Sequence, residues 1–213
     1  MQPNYTVMTV AVLADEMLKQ EINDRGAGPD VRMIWADSLR SLTIIEADVY
    51  MDLLFDMDRE RISRLQQLLP KPVIVNAVAH TTREIGLDVI RINAWPGMLR
   101  RPLVEIVLPE NVEENNVATI FNTLQWTYQA VPDVPGMITA RVLAMIINEA
   151  YYTWGSGVSS REEIDTAMKL GTNYPLGPFE WSERIGVHRV RELLHVLSHI
   201  DKRYTPHERL LNS

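Results

Sequence analysis

Residues 164–181 read IDTAMKLGTNYPLGPFEW, a helical run that gives way to densely punctuated turns. Just upstream, Ser159 or Ser160 precedes Glu162 and Glu163. This pattern predicts a helix cap with acidic side chains in the first turn, where they complement the partial positive charge of a helix start. Gly171 is placed to take the left-handed conformation that ends such a helix. Pro175 and the Gly177-Pro178 pair then set a turn, and Phe179 and Trp181 can anchor the helix that follows.

Outward from this stretch, the chain is helical on both sides. Residues 187–202 place Val187, Val190, Leu194, Leu197 and Ile200 at intervals of three and four, the spacing of one apolar helix face. Residues 137–154 are apolar on nearly every side, which predicts a helix buried all round. Before the Pro135-Gly136 step the rhythm changes. Short β-rich runs at 7–13, 31–35, 48–55, 72–76, 89–93 and 103–108 alternate with helical patterns, as in crossover units on a mainly parallel sheet. Among the helices, residues 15–24 follow the first strand, Asp56 is the expected cap of a helix that Pro70 ends, and 112–128 reads as one further helix. These patterns predict an α/β domain over residues 1–133 and an all-α domain over 134–213.

Composition narrows the function classes. The chain has 213 residues, 46% hydrophobic and 23% charged, with a formal net charge of -7. That is ordinary for a chain with a core, and the charge argues against a nucleic-acid surface, which needs clustered Lys and Arg to neutralise phosphates. No cysteine is present, so disulfides, thiolate metal sites and thiol nucleophiles are excluded, and a cytoplasmic location is the expectation. The early apolar run at residues 7–14 is too short to span a bilayer and lacks a basic leader, so no membrane association is expected.

Taken together, these motifs resemble the L-3-hydroxyacyl-CoA dehydrogenase family. The resemblance rests on Pro135-Gly136, Asn148-Glu149-Ala150, Gly157-Val158, Ile164 to Gly171 and Tyr174 to Glu180 in the helical half. Ala47-Asp48-Val49-Tyr50 and Pro102-Leu103-Val104-Glu105 extend it into the first half. It implies a Rossmann-like N-terminal domain followed by an all-α domain of the 6-phosphogluconate dehydrogenase C-terminal-like kind. It also implies NAD as the family cofactor and a homodimer formed through the helical domain.

Carried over residue by residue, the family's site is largely missing. A dinucleotide site needs glycines after the first strand, so that backbone can approach the pyrophosphate at a helix N-terminus. This chain has Ala14-Asp15-Glu16-Met17-Leu18-Lys19 there. Gly26-Ala27-Gly28 follows the first helix and is no substitute. Asp37, near the end of the second strand, is the remaining cofactor-binding candidate, as a partner for a ribose hydroxyl. Its alternative role is a helix cap or surface acid. In the family a histidine takes the hydroxyl proton and a carboxylate orients it. The carboxylate is retained as Glu105, whereas Ile92 or Asn93 stands at the histidine position, depending on a one-residue gap. The family serine becomes Val78 and its asparagine becomes Ala140. The segment between Trp35 and Ala47 is also shorter than the family's helical arm, which puts the usual CoA contacts in doubt.

The surviving polar candidates are His80 and Glu105 as a relocated catalytic pair, with Asn76 and Asn93 as substrate-binding groups. His188, Glu192, His195 and His199 share one helix face, but one helix rarely encloses an ion; a solvated polar face is expected and no metal site. Trp126, Tyr151, Tyr152, Trp154 and Trp181 read as core or interface aromatics. The sequence therefore predicts a divergent 3-hydroxyacyl-CoA dehydrogenase-like protein without efficient NAD-dependent hydride transfer. It would act as a binding or assembly protein with a small acyl or acidic ligand and no cofactor. The alternative is an active oxidoreductase that uses NAD through altered contacts. A third class, a structural partner of another enzyme, would need no ligand cleft.

Overall fold

The structure is a computed structural model that describes residues 7–212. It divides into two compact units that meet at Val134 and Pro135. In the first unit the strands are β1 (Met8–Leu13), β2 (Val31–Ala36), β3 (Val49–Asp52), β4 (Val73–Val75), β5 (Ile90–Ile92), β6 (Leu103–Val107) and β7 (Thr127–Ala130). They form a 7-stranded sheet in the order β2-β1-β3-β4-β5-β6-β7. Every pairing is parallel except β5 with β6, where Arg91 stands opposite Val107 and Ile92 opposite Ile106. Because β2 and β3 flank β1, the chain reverses direction across the sheet there, and the carboxyl ends of β1 and β3 border the crevice where such folds place ligands.

Both sheet faces are covered, as parallel strands require. On one face Val10, Val12, Met51, Ile74, Ile92 and Ile106 pack with side chains of α1 (Glu16–Arg25) and α5 (Glu114–Leu124). On the other, Ala11, Leu13, Tyr50 and Val75 pack with Leu42, Leu65 and Ile85. These come from α2 (Leu39–Ile44), α3 (Arg59–Gln66) and α4 (Thr82–Ile85) respectively.

Several local expectations need correction. Asp58, rather than Asp56, caps α3, its carboxylate accepting from Arg61 N at 3.0 Å, while Asp56 accepts from Met57 N. The predicted helix over 112–128 stops at Leu124 because Gln125 is left-handed at φ 58, and the edge strand β7 follows. The segment between Trp35 and Ala47 holds the unforeseen helix α2, closed by a reciprocal Ser38–Ser41 cap. Gly28 owes its identity to packing: a side chain there would come within 2.0 Å of the Thr123 carbonyl oxygen.

The second unit contains α6 (Thr139–Gly155), α7 (Arg161–Thr172), α8 (Pro178–Ile185), α9 (Val187–Ile200) and α10 (Glu208–Leu211), with a short 3-10 turn at Lys202–Tyr204. Ser160 caps α7, reciprocated by Glu163. The helix continues through Gly171 to Thr172, and Asn173, at φ 56, is the left-handed residue that stops it. Gly177 precedes Pro178 at the start of α8, and a side chain on it would meet Asp165 at 2.3 Å. Phe179 is buried, whereas Trp181 is only half-buried. On α9 the buried set is Val190, Leu193, Leu194 and Leu197, and Ile200 is 67% exposed. Helix α6 is not buried all round within this chain: Ile138, Val142 and Tyr152, at its start and along its length, are 47%, 54% and 43% exposed.

Candidate functional site

The expected site residues of the first unit lie along the carboxyl edge of its sheet. Strand alternation sends Val104 and Ile106 of β6 to one face, and so sends Glu105 to the other. The antiparallel register then sets Asn93 opposite Glu105, with Asn93 N donating to Glu105 O at 3.0 Å. Asn93 Nδ2 donates to Glu105 Oε2 at 3.3 Å, and Asn93 Oδ1 accepts from Trp95 N at 3.4 Å. Both residues are buried, Asn93 at 2% exposure and Glu105 at 8%. Ile92 lies in the core of the opposite face, and Asn93 presents an amide to the Glu105 carboxylate.

Asn76 is committed to the fold. Its Nδ2 donates to the carbonyls of Leu53 and Ala94, both at 3.2 Å, and its Oδ1 accepts from Ala94 N at 2.9 Å, tying together the ends of β3, β4 and β5. His80 is half-exposed between β4 and α4, one residue before the Thr81 cap.

At the end of β1, the Asp15 carboxylate turns back onto its own helix and accepts from Leu18 N at 2.9 Å. Glu16 beside it pairs with Lys19 at 2.7 Å. The Lys19 ammonium holds its proton above the ordinary lysine range, chiefly through that hydrogen bond, with burial opposing and the charges of Asp37 and Asp15 adding. Asp37 is exposed, and its backbone N–H donates to Ser41 Oγ at 3.0 Å; the α2 cap is its neighbour Ser38.

Asp52, at the end of β3, has no counterpart in the sequence expectations. It is fully buried, receives Arg61 Nε and Nη2 at 2.6 Å each, and accepts from Leu54 N at 3.2 Å. Arg61 also borders a cavity of about 350 Å³ with Ser38, Arg40, Asp56, Asp58 and Arg64. The sequence signal for Asp52 was only its position at a strand end, since a partner nine residues away leaves no helical or strand period. On the other side of β4, the Arg91 guanidinium is fully buried and is held by Asp133 and by the carbonyls of Ala77 and Val78. Burial lowers its pKa, and the Asp133 carboxylate opposes that shift.

On the α9 face, the rings of His195 and His199 stand 4.7 Å apart and His199 Nδ1 contacts His195 O at 2.8 Å. Among the described residues, no three His, Asp or Glu side chains are grouped to hold a metal ion. No helix of the described residues is long and apolar enough to cross a membrane.

A mostly parallel sheet whose strand order reverses at β1, followed by a helical unit, defines a Rossmann-like dehydrogenase architecture. Residues 136–212 match the family described as 3-hydroxyacyl-CoA dehydrogenase, C-terminal domain. The chain is 46% identical over 82 residues to a 3-hydroxyadipyl-CoA dehydrogenase of Escherichia coli, a match covering 38% of this chain and 17% of that protein. It is 36% identical over 110 residues to a 3-hydroxybutyryl-CoA dehydrogenase of Clostridioides difficile, covering 49% and 39% respectively. The crystal structure of the (S)-3-hydroxybutyryl-CoA dehydrogenase of Ralstonia eutropha shares the fold with a TM-score of 0.73 at 19% identity, over 97% of this chain and 93% of that one. Residues 136–212 carry the C-terminal domain of the 3-hydroxyacyl-CoA dehydrogenase family and the chain is similar to such dehydrogenases, although its matches span less than half the length of these two curated relatives.

Proposed function

We propose that this chain keeps the family's architecture, has lost efficient hydride transfer to NAD, and works as a binding or assembly protein for a small acyl or acidic ligand. The observation that carries the reading is the Asn93–Glu105 pair. In the family a histidine beside this carboxylate takes the substrate proton. A carboxamide has no basic lone pair near neutral pH, so it can hold a hydrogen bond but cannot serve as general base. The end of β1 supports the same reading. Asp15 caps α1 with its own carboxylate and Glu16 stands beside it, so negative charge occupies the place where a diphosphate needs bare backbone N–H groups. The residues present do not fit that cofactor group. NAD(H) titration by calorimetry tests the proposal. The expected result is no saturation at micromolar concentrations, and saturable binding would instead support an active oxidoreductase with altered contacts.

The partner of the helical unit is proposed to be a second copy of the chain. Ile138, Val142 and Tyr152 leave an apolar stripe exposed, continuous with a groove of about 520 Å³ that includes Arg141, Met145 and Glu149. An antiparallel α6–α6 contact centred on Met145 would bring Arg141 opposite the second copy's Glu149 and Ile138 opposite its Tyr152. Light scattering should report a dimer at micromolar concentration and a monomer for Val142→Glu; a monomeric parent chain would reject this.

A further inference from the structure

A second cavity, of about 540 Å³, lies within the helical unit among Tyr151, Trp154, Arg161, Glu208, Arg209 and Asn212. Its base is a cluster of rings: Tyr151 and Phe179 are 5.0 Å apart between centroids, and Trp154 is 6.0 Å from each. Two guanidinium groups rest on this cluster. Arg161 lies 4.7 Å from the Phe179 centroid and is neutralised by Glu183 at 2.7 Å. Arg209 lies 4.3 Å from the Trp154 centroid, and no carboxylate or side-chain hydrogen bond engages its guanidinium among the described residues. A guanidinium lying over an indole is held in orientation while its in-plane N–H edges stay available as donors. Asn212 adds an amide to the same wall, and Glu208 adds one negative charge, which favours a singly charged ligand over a multiply charged one.

We propose that this cavity binds a small organic monoanion, in which one carboxylate or phosphodiester is joined to a flat apolar body. The anion takes the free edge of Arg209, and the flat body lies against the aromatic wall. The volume falls in the range of small-molecule sites, which are mostly apolar with a few placed polar groups. This site is independent of the Asn93–Glu105 pair, so the outcome of NAD titration does not bear on it.

Calorimetry of the full chain with cinnamate and with 3′,5′-cyclic adenosine monophosphate distinguishes carboxylate from phosphodiester, and cinnamyl alcohol serves as the neutral control. Saturable binding of at least one anion is expected, weakened about tenfold in Arg209→Gln through loss of the charge-assisted bonds and unchanged in Arg83→Gln of the sheet unit. If Arg209→Gln lowers the melting temperature, Arg209→Lys replaces it: the charge stays, the planar fork is lost, and weaker binding is still expected. Absence of saturation by both anions, equal binding of the neutral alcohol, or parental affinity in the arginine variant that melts normally would overturn the proposal.

Discussion

The two units treat buried carboxylates differently. In the helical unit, Asp165 is 8% exposed and joins α7 to α8, accepting from Phe179 N at 2.8 Å and Glu180 N at 3.2 Å while Gly177 leaves room for it. Every part of that junction lies in the stretch by which the chain resembles its family. In the sheet unit, Asp52 is fully buried and Glu105 is 8% exposed, and side chains engage both: the Arg61 guanidinium meets Asp52 and the Asn93 amide meets Glu105. Asp165 is thus engaged by backbone N–H groups of the next helix, whereas Asp52 and Glu105 each face a side chain from a neighbouring element.

The strongest way to break this comparison is at Asp52. Arg61→Met removes the cation paired with the fully buried Asp52 carboxylate, and unpairing a buried charge costs about 3–5 kcal/mol. Urea denaturation should show a loss of that size. A loss below about 1 kcal/mol, the level of an exposed pair, would mean that water reaches Asp52 and that the sheet edge is more open than its packing indicates.

A smaller effect is expected at Asp165→Ala, which removes two hydrogen bonds from backbone N–H groups to a charged acceptor. The expected destabilisation is about 1.5–3 kcal/mol, read from thermal melts of the full chain. Asp165→Asn retains one acceptor oxygen and should recover part of it. If both variants melted like the parent, the α7–α8 junction would be held by Phe179 and its neighbours alone, and the contrast between the units would lose its basis.

How much of this was legible depends on how local the signal is. The apolar strand cores were readable because Val, Ile and Ala recur in short runs between turns, and the Ser160–Glu163 cap because both halves lie within one helical turn. Strand β7 was not, since its Thr-Tyr-Gln-Ala run lies at an open edge with little buried alternation. Helix α2 was missed because its reciprocal cap uses serine at both positions in place of the usual glutamate. The choice between Ile92 and Asn93 was available from alternation: Ile90, Ile92, Val104 and Ile106 share one face, which leaves Asn93 and Glu105 together on the other. The Asp52–Arg61 pair left no comparable trace, because it depends on where α3 settles on the sheet rather than on a period within either element.

The smallest effect concerns the acid dependence of the helical unit. Glu180 sits in the first turn of α8, and its carboxyl is held below the ordinary glutamate range, first by the hydrogen bond from Lys169 and then by the bond from Gly177 N. A depressed folded-state pKa gives stability that is present above the unfolded value of about 4.3 and is lost as pH falls through the folded value. Asp165 works in the opposite sense. Burial raises its pKa against the pull of its two backbone donors, so its protonation favours the folded state at low pH and that contribution is lost as pH rises through the raised value. The two partly cancel in the parent chain. Glu180→Gln keeps an acceptor for Gly177 and removes only the depressed group, so stability followed by urea midpoint from pH 5 to pH 3 should fall less steeply than in the parent. An unchanged slope would place the acid sensitivity outside this junction, with Glu163, held below the ordinary glutamate range first by the hydrogen bond from Ser159, as the next group to test.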